Sequence, residues 1–325
     1  MTVVTHRAIS VLLKAAKIVS ILLPLSLTPW PTKAQDVQIT RFIALGDMPY
    51  GEPDLVYPLY ESLIGEINTR SPELVIHVGD TKGGGACTDA ILRAQLDFMN
   101  MFNAPVLYTP GDNEWTDCYR ADDDPLERLD FIRKTFFANP DTSLGKVSIS
   151  LQHQGALGYP ENARFRSGQI GFVTAHVVGS NNNFETRELS AAEEFFARSK
   201  ASSDWLVESV SEFRDAEVIV LAIHADMFEF DFNEFKSERW LRHSGFGAFG
   251  EALKSSARKF GKPMLLVFGD SHRHRIFQPF PMHAPNLTAV EVFGYRDMHA
   301  VEVTVRLGQD TPFQVVPVWN PALVE

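Results

Sequence analysis

Five short apolar runs in this chain each end in residues able to bind a metal or move a proton. Leu45 leads into Gly46-Asp47-Met48-Pro49-Tyr50, Val78 into Gly79-Asp80-Thr81-Lys82, and Thr109 into Pro110-Gly111-Asp112-Asn113-Glu114-Trp115. His224 follows the fourth run, and Gly269-Asp270-Ser271-His272-Arg273-His274 the fifth. One Asp after a strand is ordinary, because its carboxylate caps the next helix or closes an Asx turn. Caps need no imidazoles, however, and do not require every run to end in a metal-type ligand. Four carboxylates meeting on one edge would repel one another severely without a cation. The chemistry expected is that of a bound divalent ion, which polarises an oxygen of the substrate and lowers the pKa of a water.

The elements that must position these residues follow from hydrophobic period. Residues 41–45, 74–78, 105–109, 218–223 and 264–268 read as buried strands. Helical spacing fills about 54–68, 89–102, 125–137, 190–213 and 246–260, the crossovers of a sheet flanked by helices. In such sheets ligands bind beyond the carboxyl ends of the strands, where all five motifs lie. Segments 147–178 and 287–318 show period-two runs without intervening helix and predict antiparallel strands. Both halves fit one domain, residues 35–325, with two packed sheets between helices. The aromatic and acidic stretch 225–245, with Phe228, Phe230, Phe232 and Trp240, is placed to cover a site. His77 and His176 read as core residues inside strands, and His153, His243, His283 and His299 carry no partner pattern.

The motif order resembles that of the calcineurin-like metallophosphoesterases: Asp-x-His, Gly-Asp, Gly-Asn-His-Glu or Asp, a lone His, then Gly-His-x-His. The variants Gly-Asp-x-Pro-Tyr, Gly-Asp-x-Lys and Pro-Gly-Asp-Asn-Glu-Trp look like a divergent exported branch. The resemblance covers about residues 41–275 and implies a four-layer α/β/β/α sandwich, with two metals bridged by one Asp and hydrolysis of phosphate mono- or diesters. It implies Asp47 and His272 at a first metal, Asp80 as the bridge, and Asp112, His224 and Asp270 at a second. Pro49 stands where the pattern has a histidine ligand, and Asn113 where it has the catalytic histidine; Asn does not titrate near neutral pH. The cofactor expected is one or two divalent ions among Mn, Mg, Fe and Zn, the carboxylate-rich set suiting a harder cation such as Mn²⁺ or Mg²⁺. Asn113 could donate to a phosphoryl oxygen, Lys82 or His274 could supply charge or a proton, and Glu114 could orient a neighbour. An alternative register would use His272 and His274 as the ligand pair. A metal-stabilised binding module without turnover, motivated by Pro49 and Asn113, is the competing expectation.

With 325 residues, 45% hydrophobic and 22% charged, the chain can bury a full core and falls outside the disordered and disulfide-dense classes. Residues 1–34 hold Arg7, Lys14, Lys17 and Lys33, no acid, and an apolar stretch from Ile18 to Trp30. That is a signal-peptide pattern, with cleavage expected near Ala34 and an uncleaved anchor as the alternative. Either way the body is exported, to the periplasm or beyond. Losing those four basic residues moves the net charge from −11 to −15, so a small phosphorylated substrate is expected and duplex nucleic acid is not. Cys87 and Cys118, the two cysteines present, are expected to pair in an oxidising compartment.

Overall fold

Alternation along the central strands builds the layers. The structure is a computed structural model that describes residues 39–185, 188–228 and 245–323. In β1 (Ile39–Leu45), Phe42 and Ala44 face one buried cluster, while Ile43 and Leu45 face another. In β7 (Val218–Ala222), Val218, Val220 and Ala222 join Phe42 and Ala44, whereas Ile219 and Leu221 point the opposite way. Successive side chains of a strand point to opposite faces, so the shared cluster is the seam between two sheets.

The first sheet has five strands in the order β12 (Phe313–Val318), β11 (Ala300–Arg306), β1, β2 (Leu74–His77) and β3 (Val106–Tyr108). The second has seven: β4 (Gln152–Gln154), β5 (Tyr159–Ser167), β6 (Ile170–Thr174), β7, β8 (Met264–Phe268), β10 (Leu287–Glu291) and β9 (Arg275–Phe277). Outside the first sheet lie α1 (Pro53–Arg70), α2 (Asp89–Met99) and α3 (Pro125–Phe136). Helix α1 sends Tyr60, Leu63, Ile64 and Ile67, at three- and four-residue spacing, into the cluster beneath. Outside the second sheet lie α4 (Leu189–Glu212) and α5 (Gly247–Phe260), which contribute Trp205, Leu206, Phe249 and Leu253. The result is the expected α/β/β/α sandwich.

All five expected strands and all five helical patterns are present. Strands β4 to β6 form the antiparallel set expected within 147–178, but β6 is parallel to β7. Strand β10 departs further, running parallel to β8 and antiparallel to β9. Its alternation is weak because Leu287, Ala289, Val290 and Glu291 are all buried, as in an interior strand covered on both faces. His176 lies two residues past β6, where its Nδ1 pairs with Glu161 at 2.8 Å. Phe228 is packed on Phe268, Phe277 and Phe280 as core. Phe230, Phe232 and Trp240 fall outside the described residues. Cys87 and Cys118 are joined in a disulfide.

Candidate metal centre

Because β1, β2, β3, β7 and β8 are mutually parallel within their sheets, their carboxyl ends deliver the five motifs to one edge. The turns there are tight: Asp47, Asp80, Asp270 and His272 have φ of 57°, 54°, 79° and 62°, left-handed values that L-residues adopt only when held. They are held by one another. Asp47 N–H donates to Gly79 O at 3.0 Å, Gly269 N–H to His224 O at 2.9 Å, and Asp270 N–H to the Asp47 carboxylate at 3.0 and 3.1 Å. Two glycines permit the crowding. A Cβ on Gly111 would lie 2.1 Å from Asp80 Oδ1, and one on Gly179 would lie 2.5 Å from Asp112 Oδ2 and 2.7 Å from Asp270 Oδ1.

At the centre is His224, fully buried. Its Nδ1 is 2.8 Å from Val78 O. A carbonyl only accepts, so Nδ1 carries a proton and Nε2 is the nitrogen turned to the carboxylates, whose lone pair a cation would take in place of a proton. That Nε2 has no hydrogen-bond partner and lies 3.4 Å from Asp80 Oδ1 and 3.6 Å from Asp112 Oδ1. Ligand atoms of Asp47, Asp80 and His224 lie within 4.8 Å of one another, and so do those of Asp112, His224 and Asp270. His272 sits at the margin, part-exposed, with Nε2 3.7 Å from Asp47 Oδ1.

The electrostatics state the same need for a cation. Burial pushes the carboxyls of Asp47 and Asp80 well above the usual range and that of Asp270 up to about 7. Asp112 is the exception: burial acts upward, but the adjoining His224 outweighs it and holds the group low. Burial opposes charge on His224, yet Asp80, Asp112, Asp270 and Asp47 together raise its pKa well above the ordinary value. A buried imidazole nitrogen without a hydrogen-bond partner, ringed by carboxylates that favour positive charge there, is a donor set that fits a divalent cation.

The remaining motif residues divide. Glu114, buried completely, accepts from the backbone N–H groups of Thr81 (2.6 Å), Gly111 (3.1 Å) and Asp80 (3.2 Å), which ties the second and third loops together. Asn113 turns its amide to Asp80 Oδ2 at 2.6 Å. Lys82 does not enter the donor cluster as a free charge: its ammonium donates to the carbonyls of Asn113 (2.6 Å), Gly83 (2.7 Å) and Gly85 (3.2 Å). His274 is likewise engaged elsewhere, with Nδ1 bonded to Glu291 O at 2.8 Å and its ring stacked on Phe293 at 4.3 Å. The register pairing His272 with His274 therefore has no geometric support.

A cleft of about 510 Å³ opens over the carboxylates and brings in residues to which the motifs gave no role: Arg120, Asp117, Ser180 and Asp226. Arg120 is half-exposed and paired with Asp117 at 2.6 Å. Asp226 N–H holds Asp270 Oδ2 at 3.0 Å, and Arg275 bridges Asp226 to Glu291 behind it. Tyr50 reaches Asp80 Oδ2 through its hydroxyl at 2.6 Å. Ser180 follows β6, and the strand-end rule would have found it had β6 been read as parallel to β7. Arg120 lies in a helical turn, Thr116–Ala121, and carries no sequence signal.

Fold and site together define a two-sheet α/β protein with a buried carboxylate–imidazole centre at its strand ends. The family model for calcineurin-like phosphoesterases matches residues 40–274. The chain belongs to that family. Among solved structures, the 5'-nucleotidase from Candida albicans SC5314 is similar at 11% identity and a TM-score of 0.47, over 86% of this chain and 51% of that one. The chain thus spans about half that protein's length. A second solved structure aligns over its whole length and 87% of this chain, at 10% identity and a TM-score of 0.45. No match is found among curated protein sequences.

Proposed function

We propose that the protein hydrolyses phosphate mono- or diesters outside the cytoplasm, through a metal centre built from Asp47, Asp80, Asp112, His224, Asp270 and His272. The observation that carries this reading is the bare, buried Nε2 of His224 among four carboxylates, under a cleft open to solvent. A divalent cation bound there supplies a Lewis acid for a phosphoryl oxygen and a nucleophile from water. The chain's own groups do the rest. Arg120 extends a guanidinium into the cleft as the partner for phosphoryl charge. Glu114 keeps the Asp80 and Asp112 loops in register, and Asp226 holds Asp270. The export arm of the proposal is supported by the basic-then-apolar N-terminal sequence and by the disulfide. Among the described residues no helix is long and apolar enough to cross a membrane.

The second reading, a metal-stabilised binding module, draws on one observation: Asn113 gives its amide back to Asp80 and offers no titratable group to a leaving oxygen. An assay separates the two. Purified protein with Mn²⁺ should cleave an activated aryl phosphate or phosphodiester, and Asp80→Asn should abolish the cleavage. Metal binding without turnover on either ester class would select the binding module.

A further inference from the structure

We infer that the centre holds a single divalent ion, and that Tyr50 and Asn113 close the side of Asp80 on which a second ion would bind. The inference rests on the metal-dependent reading above and narrows it.

The donor geometry comes first. The two candidate triads, Asp47-Asp80-His224 and Asp112-His224-Asp270, share one imidazole. With Nδ1 committed to Val78 O, His224 offers a single lone pair on Nε2, and a ring nitrogen lone pair binds one ion where a carboxylate can bridge two. Both triads can therefore be completed only around a common ion. Among the described residues no other imidazole joins either triad.

Asp80 is closed in the other direction. Its Oδ2 receives the Tyr50 hydroxyl at 2.6 Å and the Asn113 amide at 2.6 Å, and that amide also donates to the Tyr50 hydroxyl at 3.0 Å. The three groups form a closed triangle on one carboxylate oxygen. The Tyr50 ring stacks on Tyr295 at 4.9 Å and meets His272 edge-on at 5.5 Å, so it occupies the space joining Asp80 to His272. A second ion shared by Asp47, Asp80 and His272 would need Asp80 Oδ2, so His272, 3.7 Å from Asp47 Oδ1, is left as an outer member of the one-ion centre. The preceding residue, Pro49, brings no side-chain donor atom to replace what the ring excludes. Asp80 Oδ1 faces the opposite way, accepting the Asn113 backbone N–H at 2.9 Å and lying 3.4 Å from His224 Nε2, and it keeps one lone pair for an ion.

The test is a Mn²⁺ titration of the full chain, with bound metal counted by elemental analysis and its environment read by electron paramagnetic resonance. One ion per chain with the hyperfine pattern of an isolated Mn²⁺ is expected. Two ions with exchange coupling would overturn the single-ion inference and leave the phosphoesterase reading standing, whereas no bound ion would remove both. The double variant Tyr50→Phe, Asn113→Ala, checked for folding by circular dichroism, should admit a second ion at high Mn²⁺ concentration. Tyr50→Phe alone, which removes only a hydroxyl, serves if the double variant does not fold. An unchanged count in a folded variant would overturn the role given to these two residues.

Discussion

His224 and Val78 are joined by a 2.8 Å hydrogen bond from Nδ1 to a backbone carbonyl, and that bond decides which nitrogen faces the carboxylates. The carbonyl belongs to the residue just before Gly79-Asp80, so the strand that delivers Asp80 also sets the tautomer of the imidazole beside it. Ligand and orienting partner are thus parts of one loop.

The first expectation concerns that imidazole. Replacing His224 by Gln removes the shared donor of both triads. Mn²⁺ affinity should fall by more than the roughly 10- to 100-fold typical of losing an orienting partner alone. Calorimetric titration would show it, with far-ultraviolet circular dichroism unchanged; retained affinity would displace His224 from the centre.

Glu114 should matter through its position. It satisfies three backbone N–H groups around the Asp80 turn, two through one oxygen and one through the other. In Glu114→Gln, one of those oxygens becomes an NH₂ facing an N–H, which leaves at least one buried donor unsatisfied at about 1–3 kcal/mol. Denaturant titration should record that loss of stability. Metal affinity should drop in parallel, by roughly 10- to 100-fold.

Much of this fold could be read from the chain because its central strands are continuous apolar runs that end abruptly in Gly-Asp or His. A strand such as Met264–Phe268 leaves no ambiguity of period, and its neighbours are separated by clear helical spacing. Strand β10 was harder: Leu287–Glu291 is buried along its length, including Glu291, whose charge reads as solvent-facing until Arg275 and Ser271 are seen to hold it. Site residues on motifs were visible in sequence, but their orientation was not. Lys82 and His274 sit where a catalytic group could sit, and only the carbonyls around one and the Phe293 ring against the other show where they point. Tyr50 was in view within its motif without a role, since a hydroxyl directed at a carboxylate is not a pattern of spacing.

His274 supplies a negative expectation. A group acting as general acid is typically worth about 10² to 10⁴ in rate. His274→Ala should instead leave the aryl phosphatase rate within roughly 3-fold of the parent, well below that range. A loss of about 10²-fold would return the residue to the chemistry.

The disulfide should act on stability more than on the chemistry. Cys87 and Cys118 are 31 residues apart in sequence and enclose the Asp112-Asn113-Glu114 loop. Loop-closure entropy for that length corresponds to about 3–4 kcal/mol. The Cys87→Ser, Cys118→Ser pair should therefore lower the melting temperature by roughly 6–12 °C for a chain of this size. Differential scanning calorimetry checks this, and an unchanged melting temperature would show the loops are held without the bond.

The last expectation is a pH dependence set away from the metal centre. His176 is buried, with Nδ1 bonded to Glu161 and no partner for Nε2. Burial lowers its pKa from 6.5 to about 4 against the upward pull of Glu161. Burial would raise Glu161, but the bond from His176 and the charge of Arg133 prevail and bring it to about 2. Because the folded imidazole takes its proton only near pH 4 and the unfolded one already near 6.5, the unfolded chain binds more protons between those values. Stability is therefore fully present above pH 6.5 and is lost as pH falls toward 4, at about 1.4 kcal/mol per pH unit or roughly 3 kcal/mol in all. Urea denaturation of the parent and of His176→Gln at both ends of the window reads this contribution, since the Gln amide still offers Glu161 a donor and the remaining titrating groups are common to the two. The parent should lose roughly 3 kcal/mol more than the variant on acidification. Equal losses would mean that burial does not depress the native imidazole, and a smaller loss in the parent would mean that Glu161 holds it as an ion pair.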